Sequence, residues 1–237
     1  MGEGSIFQQA FANLNRVPRE AWLVALFANG LSASGDFAFW TSGERLSWGW
    51  AAPYLVLTAV WLWAIYMAVV GIVGRFATFP GYARFTLTSV TAVSPITLTL
   101  ALAVWGKSFL AEGTRTLMLV VGLVISFIIA SLLSGWPMAQ SISAKFVSPA
   151  RVLKATRGHR WSLLLLSFAT AGIGRSGVIP DISKANKVSE AALIAIANGL
   201  IGLLTLGLTA AIAATAWQFV VRTDPSLDLS QDGQAQV

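Results

Sequence analysis

Residues 116–136 read TLMLVVGLVISFIIASLLSGW, without one charged side chain. Wound as a helix at about 1.5 Å per residue, such a run crosses the roughly 30 Å hydrocarbon core of a bilayer. Outward from it, three more uncharged stretches of comparable length follow, at 53–74, 85–105 and 191–221. The fold class expected from them is all-α, a polytopic transmembrane helical bundle with four full spans.

Composition agrees with that expectation. The chain is 56% hydrophobic and only 11% charged, against about 25% charged in an average soluble domain. The apolar residues come in blocks rather than at amphipathic periods, as lipid-facing spans do. The net charge of +6 would suggest nucleic acid in a soluble protein. Here it points to cytoplasmic segments facing anionic lipid, so the bilayer is the expected partner and nucleic acid is not. The absence of cysteine removes disulfides, thiolate metal sites and cysteine nucleophiles together.

Two shorter apolar segments flank the long ones. Ala21–Ser34 and Trp161–Gly174 are each too short for a comfortable crossing, and read as re-entrant, interfacial or thinned-bilayer segments. Residues 1–20 carry Glu3, Arg16, Arg19 and Glu20 and lack a compact apolar stretch, so no cleavable signal peptide is expected. Ile6, Phe7, Ala10, Phe11 and Leu14 recur at helical spacing, which makes 1–18 an amphipathic interfacial segment. A single membrane domain over 19–222 and a disordered tail over 223–237 complete the expected organisation.

Orientation is read from Lys and Arg. The loop expected over 137–160 holds Lys145, Arg151, Lys154, Arg157 and Arg160 without an acid, and is the strongest cytoplasmic candidate. Counting back places 106–115 outside, 75–84 inside, the polar loop 35–51 outside and the N-terminus inside. The protein is thus expected to be multi-pass in the inner (plasma) membrane.

Three groups of residues stand out as candidate sites. In 85–105, Thr88, Thr91, Pro95 and Thr99 fall within roughly 80° of arc on a 3.6-residue helix. Pro95 cannot donate to the carbonyl of Thr91, so that oxygen is expected to be free at mid-membrane depth. A freed carbonyl beside hydroxyls can line an ion or solute path; the hydroxyls can equally bond their own helix carbonyls. The second group is Gly122, Ser126, Ala130 and Ser134, with Ala195, Gly199 and Gly202 further on. Small residues at such spacing let helices approach closely, within a subunit or between subunits. The third group is the five cations of 137–160, which either grip anionic headgroups or an acidic partner, or set topology alone. Most tryptophans, Trp136 and Trp217 among them, fall where an interfacial aromatic belt would lie.

What is missing narrows the function. No Asp, Glu, Lys, Arg or His lies inside the four long runs, whereas proton relays, voltage sensors and coupled pumps depend on such groups. His159 stands alone between arginines, with no partner for metal binding or catalysis in the sequence around it, and is expected as a solvated loop residue. No nucleotide-binding, zinc-protease or serine-hydrolase motif occurs, and no cofactor or enzymatic activity is expected. The expected role is a non-enzymatic inner-membrane subunit, assembling with copies of itself or with other membrane subunits as a secretion or translocation scaffold or a defence-type sensor. The alternative is a small uncoupled channel or facilitator using the Thr/Pro-lined helix.

Overall fold

A backbone threaded through apolar surroundings has to satisfy its N–H and C=O groups internally, and here it does so by helices. The computed structural model describes residues 4–42, 48–105, 111–143, 145–174 and 182–227. Among the described residues there are nine α-helices, a few short 3-10 turns and no strand. The helices are α1 (Gly4–Leu14), α2 (Arg19–Ser42), α3 (Trp48–Ile72), α4 (Phe79–Trp105), α5 (Glu112–Leu132), α6 (Trp136–Ile142), α7 (Pro149–Ala155), α8 (Arg160–Gly174) and α9 (Val188–Thr223).

Among the described residues three helices, rather than the expected four, are long and apolar enough to cross a membrane. They are the Leu55–Ile72 part of α3, the whole of α5, and α9. The run 85–105 does form helix, as most of α4. That helix also carries Arg84 and hydroxyls at residues 86, 88, 89, 91, 94, 97 and 99, which dilute its apolar character. In the opposite direction, α2 is longer than its apolar core suggests. It runs 24 residues, about 36 Å, and takes in the first part of the expected loop 35–51. The reason is packing: Phe37 and Trp40 cover a small core made by Ala185, Ala191 and Ile194. Residues 43–47 lie outside the described set.

Two compact units divide the chain. One comprises Met1–Ala77 with Leu166–Ala214, the other Thr78–Leu165 with Thr215–Val237.

In the first unit, α2 and α3 lie together, and Ala21, Ala25 and Ala28 give α2 a smooth buried face. Pro18 precedes α2 and accepts from the N–H groups of Ala21 and Trp22. Its ring rests on Gly71, where any Cβ would collide with it. Three residues on, Gly74 ends α3 at φ +75°. Arg75 N–H bonds Val70 O at 2.8 Å and Gly74 N–H bonds Gly71 O at 3.0 Å, the paired bonds of a Schellman cap. The N-terminal segment forms helix as expected, with Ile6 and Ala10 buried and Phe11 exposed.

In the second unit, α4 packs against both α5 and α6. Thr78 caps α4 by accepting the Gly81 N–H at 3.2 Å. The α5–α6 corner turns on Gly135, where an added Cβ would come within 3.1 Å of the Ala216 backbone. The tail does not come loose at Arg222 as expected, because a 3-10 turn at Pro225–Leu227 follows α9 and Leu227 is buried. Residues 228–237, the rest of the tail, lie outside the described set.

Candidate functional site

The hydroxyl stripe of α4 satisfies its own helix. Thr88 Oγ1 donates to Arg84 O at 2.7 Å, Thr91 Oγ1 to Leu87 O at 2.8 Å and Thr99 Oγ1 to Pro95 O at 2.8 Å. The Thr91 carbonyl, expected to be free because of Pro95, accepts a hydrogen bond from Ser94 Oγ at 2.8 Å. Proline removed one donor and the neighbouring serine supplied another, which corrects the expectation of an available oxygen. Ser94 was visible in the sequence; what it does follows from back-bonding in a helix, which any Ser or Thr can perform.

Two of the candidate groups meet. Gly122 of α5 lies directly under Thr99 of α4, so closely that a Cβ there would overlap the threonine methyl. Ser126, one turn on, is buried, while Ala130 and Ser134 are half-buried. The Gly122 face is therefore used within the subunit, against α4. Beside this contact a cavity of about 390 Å³ opens, with Arg115 at one end and Leu102, Leu117, Met118 and Val121 along it.

The α9 face is also used internally. Ala195 is buried; a Cβ on Gly199 would sit 3.6 Å from that of Ala33, and one on Gly202 would land on the amide oxygen of Asn29. Asn29 of α2 is buried and donates through Nδ2 to Ala25 O at 2.8 Å. It also lines a smaller cavity of about 210 Å³ with Ser32, Thr58 and Trp61. The polar residue of this contact is Asn29, which the sequence reading does not single out; Asn198, on the same helix as Gly199 and Gly202, is exposed. The signal was present: Asn29 interrupts an apolar run, and an amide there needs a partner.

The segment 137–160 is not a loop. It folds as α6, a short turn, α7 and a 3-10 turn at Arg157–His159. Trp136 is only 5% exposed and donates through Nε1 to Val147 O at 2.7 Å. Gln140 donates to Lys145 O at 3.1 Å and accepts the Val147 N–H at 2.8 Å. Arg84 Nη1 donates to Ser143 O at 2.9 Å, so three side chains hold one turn. Trp136 and Trp217, expected in an interfacial belt, are both buried within the protein. Trp161, in contrast, is 75% exposed.

The five cations are unequal. Arg151 forks onto Asp224, Nε to Oδ2 at 2.6 Å and Nη2 to Oδ1 at 3.0 Å, and also donates to Ser226 Oγ. Its guanidinium, followed by the Ser226 hydroxyl, holds the Asp224 carboxyl below the usual carboxylate range. Arg160 is half-buried and donates through Nη2 to Leu153 O at 3.0 Å. Lys145, Lys154 and Arg157 are exposed. His159, expected in solvent, is half-buried against the Phe219 ring, centroids 4.3 Å apart. Asp224 and Ser226 are the residues the sequence did not single out here.

Among the described residues no group of three His, Asp or Glu side chains is placed to hold a metal ion. Comparison with protein-family models, curated proteins and solved structures yields no match for the chain.

Proposed function

We propose that the chain is a non-enzymatic subunit of the inner membrane that assembles with copies of itself or with other membrane subunits, as a scaffold for secretion or translocation or as a membrane sensor. The observation that carries this is a second face on α9. Leu193, Ile196, Leu200 and Leu204 are all exposed and lie within roughly 80° of arc, some 140° round the helix from Ala195, Gly199 and Gly202. The small-residue face meets α2 within the subunit, which leaves the Leu/Ile face for lipid or a neighbour. On α5 the case is similar, since only 11% of the residues in its most apolar stretch are buried. The facilitator alternative has less support, because the hydroxyls of the expected stripe, Thr88, Thr91 and Thr99, and the Thr91 carbonyl are already bonded within the helix.

The test is the mass of the particle extracted in mild detergent. A multiple of the 25.2 kDa chain, or a heavier particle with defined companion proteins, is expected. A particle carrying a single chain, with solute flux in reconstituted vesicles, would overturn the assembly reading in favour of a facilitator.

The orientation proposed is N-terminus and 137–160 inside. Ser42 and Ser148 are exposed at the ends of α2 and ahead of α7, and the chain has no cysteine. Ser42→Cys is expected to react with an impermeant thiol reagent in intact cells, and Ser148→Cys only after permeabilisation. The reverse pattern would invert the topology.

A further inference from the structure

We propose that the groove between α4 and α5 is a binding site for one anionic phospholipid, its headgroup on Arg115 and one acyl chain along α5. The cavity of about 390 Å³ falls in the size range of small-molecule sites, about 300–1,000 Å³. Its walls are chemically divided. Leu117, Met118 and Val121 run along one side and Leu102 faces them from α4, with the Gly122–Thr99 contact at the far end. Apart from the Thr99 hydroxyl, which is bonded to Pro95 O, this stretch offers a ligand no polar side chain among the described residues.

Arg115 stands at the other end, in the first turns of α5, half-buried and with no carboxylate partner among the described residues. From Arg115 to Gly122 the helix advances about 10 Å. A cation that makes no ion pair among the described residues, opening onto an apolar channel of that length, matches a molecule with an anion at one end and hydrocarbon behind it. If α5 crosses the bilayer, Arg115 lies near its boundary, where a long cationic side chain reaches headgroup phosphate while its stem stays in apolar surroundings. Gly122 contributes by what it lacks: any side chain there would overlap Thr99 and push α4 off α5. The groove thus opens beside the point where the two helices touch at glycine.

This site is separate from the exposed cations Lys145, Lys154 and Arg157, none of which lines the groove. The test is native mass spectrometry of the whole protein from mixed micelles holding equal phosphatidylglycerol and phosphatidylcholine of the same chain length. The wild type is expected to retain one lipid, enriched about fivefold in phosphatidylglycerol, the equivalent of about 1 kcal/mol for one cation at a membrane surface. Arg115→Gln is expected to abolish the enrichment and Arg115→Lys to keep part of it. Met118→Trp, which fills the groove and leaves the charge in place, is expected to reduce retention of both lipids. Lys154→Gln with Arg157→Gln is expected to change nothing. The proposal fails if the wild type shows no enrichment, if enrichment survives Arg115→Gln, if it is lost in the Lys154/Arg157 variant instead, or if Met118→Trp binds as much lipid as before.

Discussion

Trp136→Ala is expected to destabilise the protein by about 3–5 kcal/mol, the usual cost of emptying a large buried aromatic site. Trp136 is 5% exposed, and its indole N–H is bonded to Val147 O at 2.7 Å. The alanine variant loses both the packing and the donor. Trp136→Phe separates them: the ring still fills most of the space, but the Val147 carbonyl loses a buried partner, at about 1–3 kcal/mol. Gln140 bonds the N–H of the same residue, so the turn is expected to loosen in Trp136→Phe without being released. A tryptophan acting as an interfacial anchor would behave otherwise. Its replacement would shift the helix in the bilayer and barely alter unfolding, as is expected of Trp161→Ala, since Trp161 is 75% exposed. Unfolding of the detergent-solubilised protein, followed by tryptophan fluorescence and far-UV dichroism, measures all three. A loss below about 1 kcal/mol for Trp136→Ala, comparable with an ordinary surface substitution, would return Trp136 to the aromatic belt.

The helices were legible in the sequence because a charge-free run long enough to cross a bilayer has few alternatives, and α3, α5 and α9 lie where such runs are. Legibility fell off where a residue's role depends on what it meets. Pro95 was correctly seen to deprive the Thr91 carbonyl of a donor, but the side chain that replaces the donor is the adjacent Ser94. Back-bonding of this kind needs only a rotamer choice, which leaves no mark in composition. The segment 137–160 reads as a loop, though it folds as short helices, for a related reason. Its charges are conspicuous, whereas the structure rests on Trp136, Gln140 and Arg84, whose partners are backbone atoms of Val147, Lys145 and Ser143. Backbone partners have no identity in a sequence. Charge counting also treated five cations as equivalent, although Arg151 is committed to Asp224, more than 70 residues away in the chain. The extent of α2 was hidden similarly: Gly35 and Asp36 look like the start of a loop, and only the pairing of Phe37 and Trp40 with Ala185 and Ile194 explains the helix beyond them.

The small-residue faces were legible as packing surfaces, but what packs on them was not, and here substitution is expected to discriminate strongly. Gly202→Leu is expected to cost about 1–3 kcal/mol by overpacking, and to do so in the isolated subunit. The obstacle is a particular atom. A Cβ at Gly202 falls on the amide oxygen of Asn29, and Asn29 is held in place by its bond to Ala25 O at 2.8 Å. Turning the amide away would relieve the overlap and break that bond inside a buried contact. Even Gly202→Ala is therefore expected to be costly. Gly199→Ala is expected to be tolerated, because its Cβ would sit 3.6 Å from that of Ala33, an ordinary contact distance. Asn198→Leu, on an exposed position of the same helix, serves as the neutral comparison. If the Asn29 oxygen is the obstacle, Asn29→Ala should recover much of the loss in Gly202→Ala, and the double-mutant cycle should show coupling between the two sites. The decisive measurement pairs subunit unfolding with particle mass across this set. Destabilisation in proportion to the overlap, with the particle mass following only after stability is lost, is the result expected of a contact inside one subunit. A particle that falls apart in Gly202→Leu while each chain unfolds as before would instead place this face between chains.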